Sequence, residues 1–305
     1  MNHNDYKISI IVNCRNGEKF LKESLDSIFV QDFDNFEVIF FDNLSNDNSK
    51  QIASKYDDRL KIINSSKSLS LGEARLSALN EISGDLFCFL DTDDKMLPNR
   101  LKIQSKELIK SKSLWSFGSY RKIDENGKTI KTVLLKPESK DIFESLLLRY
   151  SVNFQSLMFK KEVFDVIDPF FNPALTFSPD YNLVMKLSLI ESPLIIKTPL
   201  IEYRIHKESL TSNSKKIAEE YKITLEELRT IIDPNSFYQI SINVALKKYH
   251  WYRALEHVKQ GRIKEARKEL IFTNFFSYKY FLFYLLLWLP GSQKIFLKFY
   301  DFFRN

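Results

Sequence analysis

DLFCFLDTDD, residues 85–94, is an apolar run that ends in acid. Leu86 to Leu90 form a short hydrophobic segment of the kind that makes a fully buried strand. Asp91, Asp93 and Asp94 follow at once. Neighbouring carboxylates raise each other's pKa, so packing them at one strand end is unfavourable unless a positive charge joins them. A divalent cation removes that repulsion. Carboxylates suit Mg2+ or Mn2+, which proteins often hold through one or two acids together with substrate phosphates. The competing explanation is an acidic N-cap before MLPNRLK, because Asp is favoured at a helix start. The features that follow weigh against it.

Upstream, strands and helices alternate. KISIIVN (7–13) reads as a strand. In 17–30, Phe20, Leu21, Leu25, Ile28 and Phe29 recur at helical spacing. EVIFF (37–41) reads as a buried strand, and 46–56 as a helix capped by Ser45 or Asn46. LKII (60–63) reads as a strand, 71–82 as a helix and 85–90 as the fourth strand. This alternation predicts an α/β fold with a mostly parallel sheet covered on both faces. Ligands of such sheets bind at the carboxyl ends of the strands. The groups to inspect are therefore Asn13 to Asn16, Asp42 to Asp47 and Asp91 to Asp94. Downstream, 98–110 reads as a helix and 114–123 as a strand, and Asn126-Gly127 signals a hairpin within 115–135. Residues 179–190 read as a helix and 194–205 as a strand. From 215 onward nearly everything reads as helix. The polar stretch ESLTSNSKK (208–216) sets the boundary, giving domains 1–214 and 215–305.

The chain has 305 residues, enough for one large domain or a domain with an appendage. With 44% apolar and 28% charged residues it is globular, which excludes a disordered, collagenous or coiled-coil architecture. Two cysteines, Cys14 and Cys88, are too few for a disulfide framework. The opening MNHNDYKISIIV lacks the pattern of a signal peptide. Charge is uneven. Residues 215–305 hold 16 Lys and Arg against 9 Asp and Glu, while the remainder holds 29 against 30. A basic tail suits an anionic partner, nucleic acid or membrane.

Four further positions carry chemistry. Asp42 ends a buried strand, where a base or ribose would be hydrogen-bonded, and Asp47 reads as a helix cap. Arg75 offers a phosphate-matching fork, although a charge on a short helix often only faces water. Asp180 follows Pro179 at a helix start, either compensating the helix dipole or presenting a general base. His206, in YRIH, is a candidate metal ligand or phosphate contact.

Taken in order, these segments resemble family 2 glycosyltransferases of the GT-A fold. ISIIVNCRNGEKFLKESLDSIFVQDFDNFEVIFFDNLSND resembles the family's opening, and LGEARLSALNEISGDLFCFLDTDDKMLPNRL its metal-binding segment. SPDYNLVMKL resembles the catalytic acidic segment and YRIHKESLT the later Tyr-Arg-x-His segment. The resemblance covers about residues 7–212. It implies a Rossmann-like mixed sheet with a helical C-terminal extension, and inverting transfer from a nucleotide-sugar donor, a UDP-sugar by preference. By the same resemblance Asp42 contacts the uracil, and Asn13, Arg15, Arg75 and Asp91 contact the donor. Asp93 and Asp94 bind Mn2+ or Mg2+ and the diphosphate, with His206 beside them, and Asp180 deprotonates the acceptor hydroxyl. Arg15 stands where the family often has Tyr, Leu76 where it has Asn, and Pro179 where it has an acid. No Gln-x-x-Arg-Trp segment is present, which favours transfer of a single sugar.

FFSYKYFLFYLLLWL (275–289) holds one charge, Lys279, in fifteen residues. It is short of the roughly 20 residues that span a bilayer. With Lys279, Lys294, Lys298 and Arg304 around it and the amphipathic KIFLKFYDFF after it, it reads as an interfacial helix on anionic lipid. Packing on the catalytic domain or on another subunit is the alternative. Membrane attachment suits a lipid-linked glycan acceptor of cell-surface polysaccharide or lipopolysaccharide synthesis, and implies a cytoplasmic protein on the inner face of the membrane. Nucleic acid is disfavoured because the basic surplus is interleaved with apolar sequence. YRALEHVKQGRIKEARKEL (252–270) reads as a helical hairpin turning near Gly261. Two other classes compete: a nucleotidyltransferase, for which NCRNGEKF makes a poor phosphate loop, and a non-catalytic nucleotide-sugar-binding or membrane-scaffolding protein, against which Asp180 argues.

Overall fold

The computed structural model describes residues 6–135, 141–206, 208–209, 214–273, 278–289, 291 and 293–296. The chain divides into two compact units, Met1–Ser212 and Asn213–Asn305.

The first unit begins β1 (Ile8–Cys14), α1 (Glu18–Phe29), β2 (Phe36–Asp42), α2 (Ser49–Ala53), β3 (Leu60–Asn64), α3 (Leu71–Leu79) and β4 (Leu86–Phe89). It continues with β5 (Lys95–Met96), α4 (Arg100–Lys110), β6 (Trp115–Ile123), β7 (Thr129–Val133), α5 (Ile142–Leu148), β8 (Met158–Lys160), α6 (Pro179–Ile190) and β9 (Leu194–Arg204). The strands form one mixed sheet of order β3-β2-β1-β4-β8-β6-β9-β5, with β7 paired to β6. β1, β2, β3 and β4 are mutually parallel, and β8 turns the sheet antiparallel beside β4. The expected hairpin forms, with Gly127 at φ +80° in its turn.

Alternation along β4 explains its hydrophobic run. Successive side chains of a strand point to opposite faces. Leu86, Cys88 and Leu90 join Ile10, Val12, Leu25 and Val38 on one face. Phe87 and Phe89 enter an aromatic cluster on the other, where Phe87 stacks on Phe159 at 5.0 Å and Phe89 meets Phe171 at 5.5 Å. Both cysteines are buried and unbonded to one another.

Two expectations need correction. The helix read over 46–56 spans only Ser49–Ala53, with Asn48 and not Ser45 or Asn46 at its cap. Its earlier amides are already taken: Asn46 N donates to Asn16 Oδ1 and Asn48 N to Glu18 Oε2. The sheet is also less uniformly parallel than the first four strands suggest, because β6, β7 and β8 introduce antiparallel pairs.

The second unit comprises α7 (Ser214–Ile231), α8 (Tyr238–Lys259), α9 (Ile263–Phe272) and α10 (Tyr278–Leu286). Gly261, at φ +74°, turns the α8–α9 hairpin where it was expected; an L side chain rarely adopts that conformation. Trp251, Leu255, Val258, Leu270, Phe283, Leu287 and Phe296 form its core. Parts of the expected apolar tail lie outside the described residues: 275–277, Pro290, the side chain of Lys279, and 297–305 with Lys298, Arg304 and most of KIFLKFYDFF. So do 207 of YRIHKESLT, 210–213 of the boundary stretch and 1–5 of the N-terminus.

Candidate active site

The acid turn grows directly out of the sheet. Leu90 N still donates to Ile11 O at 3.0 Å, but Asp91 N donates to the Gln155 side chain at 2.8 Å, and Asp94 N to Asp91 O at 3.2 Å. The chain therefore leaves β4 and closes a tight turn that gathers its acids beside the carboxyl end of β1. A carboxylate oxygen from each of Asp91, Asp93 and Asp94 lies within 4.8 Å of the others.

Each acid is fixed differently. Arg75 Nη2 approaches Asp91 Oδ1 at 3.4 Å, and Gln155 Nε2 donates to Asp91 Oδ2 at 2.5 Å. Burial, with the charges of Asp93 and Asp180 added, pushes the Asp91 carboxyl up to about 6 against the pull of Arg75. Asp94 is buried and accepts Arg204 N at 2.7 Å. Burial, then Asp93 and Asp91, hold its carboxyl well above the usual range. Asp93 is half-buried and lies 2.8 Å from His206 Nε2, while His206 Nδ1 is buried without a hydrogen-bond partner among the described residues. Hard oxygen donors crowded at mutual electrostatic cost are the donor set a divalent cation would stabilise, so these residues fit one.

Arg204 holds the turn in place. Its Nε donates to Asp93 O at 2.9 Å, its Nη1 to Glu125 O at 2.8 Å and its Nη2 to Glu23 at 2.8 Å. The guanidinium also lies 4.4 Å over the Phe20 ring, which meets the His206 ring at 5.2 Å as well.

In front of the acids lies a cleft of about 300 Å3 lined by Asn13, Arg15, Asn16, Gly17, Asn43, Leu71, Ala74, Asp91, Asp93, Asp94 and His206, among others. Two of the loops that line it, those after β1 and β2, are zipped together. Asp47 accepts Glu18 N at 2.9 Å and Ser49 N at 3.0 Å, while Glu18 accepts Asn48 N at 2.9 Å, so each helix start is capped partly from the other loop. Gly17 packs against the acid turn; an added Cβ would sit 2.8 Å from Thr92 Oγ1. Both polar atoms of the Asn13 amide are buried and lack a hydrogen-bond partner among the described residues. Such an amide is costly unless a ligand satisfies it.

The structure brings Asn13, Arg15, Asp91, Asp93, Asp94 and His206 together around this cleft, with Arg15 Nη1 donating to Ser68 at 2.7 Å. Asp42 stands outside the cleft lining. It is fully buried, accepts Ser45 N at 3.2 Å and pairs with Lys50 at 3.3 Å, and its neighbour Asn43 lines the cleft instead. Arg75 is also withdrawn from the lining: it is 3% exposed, 3.9 Å over the Phe154 ring, and its Nε and Nη1 have no hydrogen-bond partner among the described residues. It reaches the cleft through Asp91. Asp180, half-buried in the first turn of α6, acts electrostatically on Asp91. The segment leading to it is pinned to α3, where Ser70 Oγ donates to Pro173 O at 2.8 Å and a Cβ at Gly72 would sit 2.5 Å from Asn172 O.

Three supporting residues escaped the sequence reading. Gln155 sits in a 3-10 turn, Phe154–Ser156, where only the Asn153 cap and the adjacent Phe offered any signal. Arg204 lay within the quoted Tyr-Arg-x-His segment without a role. Glu23 is an exposed helical acid that local sequence cannot distinguish from a solvated one.

Sheet, acid turn and flanking helices are those of a GT-A glycosyltransferase. Residues 9–167 match the family described as Glycosyl transferase family 2, and the chain belongs to that family. A Rickettsia felis protein named "Uncharacterized glycosyltransferase" is 29% identical over 221 residues, which cover 69% of this chain but 36% of that longer protein. This chain thus spans about a third of that relative. The UDP-Glc:alpha-D-GlcNAc-diphosphoundecaprenol beta-1,3-glucosyltransferase WfgD of Escherichia coli is 26% identical over 215 residues, 70% of this chain and 82% of that one. The crystal structure of S. aureus TarS 1-349 in complex with UDP-GlcNAc has the same fold, with a TM-score of 0.67 at 20% identity over 88% of this chain and 81% of that chain. Membership of this family sets aside the nucleotidyltransferase alternative.

Proposed function

We propose that this chain moves a single sugar, with inversion, from a UDP-sugar to a glycan or lipid-linked glycan acceptor at the inner face of the cytoplasmic membrane. Residues 1–214 would carry the chemistry and 215–305 the membrane association. The observation that carries the reading is the acid turn standing within electrostatic reach of one further carboxylate, Asp180, at a helix start. Inverting displacement needs this asymmetry: one acidic cluster for the leaving group and one separate base.

Asp93 and Asp94 would hold a divalent metal, with Asp91 and His206 beside it; when bound, the metal neutralises charge on the departing diphosphate. The unsatisfied amide of Asn13, with Arg15 and Asn43, would receive the nucleoside. Arg75 and Gln155 orient Asp91 from behind. Asp180 takes the acceptor O–H proton as that oxygen bonds to the anomeric carbon from the face opposite the breaking carbon–oxygen bond. The electron pair of that bond leaves on the diphosphate. The pathway, polysaccharide or lipopolysaccharide synthesis, is supported only by the acceptor printed in the name of the E. coli relative.

Calorimetry of UDP with and without Mn2+, on wild type and Asp93→Asn, tests the donor half. Asn keeps the contact to His206 while removing the charge. Mn2+-dependent UDP binding that falls at least tenfold in the variant supports the reading. Equal binding by both proteins, or preference for another nucleotide, overturns it.

A further inference from the structure

In the second unit, α10 is apolar on two opposite faces. Phe283 and Leu287 are fully buried in the unit's core. Phe281, Leu282, Leu285, Trp288 and Leu289 are 36–60% exposed. Backbone bonds from Trp288 N to Leu285 O and from Leu289 N to Leu286 O carry the winding past the helix end. At 100° per residue the five exposed side chains fill an arc of about 120°, opposite the buried pair.

α9 widens this surface. Arg267 lies 3.8 Å over the Trp288 ring and donates to Leu287 O, which fixes the faces that adjoin. Ile271, on α9, is exposed as well. The charges on the same helix are mostly cationic: Lys264 and Lys268 are exposed with Arg267 between them, and Glu265 is the exposed acid. Lys294, after α10, is exposed as well.

We infer that this face, Phe281 to Leu289 of the α10 segment with Ile271 and the α9 cations, is the surface that seats the chain on an anionic lipid monolayer. The inference deepens the membrane reading above and rests on it. An aromatic–aliphatic stripe with a basic border is complementary to acyl chains beneath anionic headgroups. A second copy of the chain fits worse, because a twofold contact would bring two sets of these cations together. No described helix is long and apolar enough to cross a membrane, and the stripe lies along the helix, as a surface-parallel helix requires.

The test is co-sedimentation of the full chain with vesicles of phosphatidylcholine alone, and of phosphatidylcholine with phosphatidylglycerol. Wild type should sediment with the anionic vesicles at least tenfold more tightly, with a blue shift of tryptophan fluorescence. Leu285→Ser with Trp288→Ser should abolish binding to either. Lys264→Glu with Lys268→Glu should remove the anionic preference, at roughly fivefold per cation. All are exposed positions, and circular dichroism confirms the fold. UDP calorimetry should be unchanged in each, so failure here is distinguishable from failure of the donor assignment. Equal binding to both vesicles, no vesicle binding, or a dimer dissolved by the Leu285/Trp288 pair would overturn the inference.

Discussion

The two edges of the sheet bury carboxylates equally and treat them oppositely. At the amino edge Glu37 is 3% exposed; at the carboxyl edge Asp94 is 1% exposed. Burial alone pushes any carboxyl up. Around Glu37, Ser9 Oγ at 2.7 Å, Ser83 N at 2.7 Å and Oγ at 2.8 Å, Lys7 at 2.9 Å and Lys61 at 3.2 Å more than reverse that, and its pKa falls to about 2. Around Asp94 burial is reinforced by Asp93 and Asp91, and the pKa rises. The amino edge completes its electrostatics within the protein. The carboxyl edge leaves them open, which is what a site for a cation and a diphosphate requires.

The contrast can be broken at either edge. The largest effect belongs to Asp180→Asn, which should lower sugar transfer by about 10²–10⁴-fold while UDP affinity and Tm stay at wild type. Loss of UDP affinity in a folded variant would deny Asp180 the role of base. Glu37→Gln should do the converse: it costs on the order of 2 kcal/mol in urea unfolding at pH 7 and leaves UDP affinity alone. Because the folded pKa of Glu37 lies below its unfolded value, that stability is complete above about pH 4.5 and drains away as pH falls towards 2. The two proteins should therefore converge at the acid end. The smallest effect is expected from Asp94→Asn in the absence of metal. It removes a repelled charge while keeping an acceptor for Arg204 N, so Tm should rise slightly at pH 7. The folded pKa of Asp94 is raised, so its ionised form is the unfavourable one and the gain should vanish in acid. A fall in Tm at pH 7 would show that the acids of the carboxyl edge are structural after all.

The first four strands, α1 and α3 were legible because their apolar residues recur at the strand or helix period. The acid turn was legible because it follows one such run without interruption. What sits behind the acids was not. Gln155 and the ring of Phe154 reach Asp91 and Arg75 across 64 and 79 residues of sequence, and nothing local to 150–178 announces either contact. Asp42 is a different case. A strand-end acid reads as a ligand contact, and the partners that the turn beyond β2 gives it, Ser45 N and Lys50, were not legible in the sequence. Arg75 was marked for its charge, and the fold uses that charge to steady Asp91 beneath an aromatic lid.

Arg204 ties strand β9 to the backbone of the acid turn, to the hairpin loop at Asp124–Glu125 and, across 181 residues, to Glu23 of α1. Its own amide proton is held by a buried carboxylate. Segments joined at one guanidinium cannot open one at a time. In native-state hydrogen exchange the amides of Asp94, Arg204 and the hairpin loop should therefore trade their protons for deuterium as a single cooperative unit, and Arg204→Met should split that unit into parts that open independently.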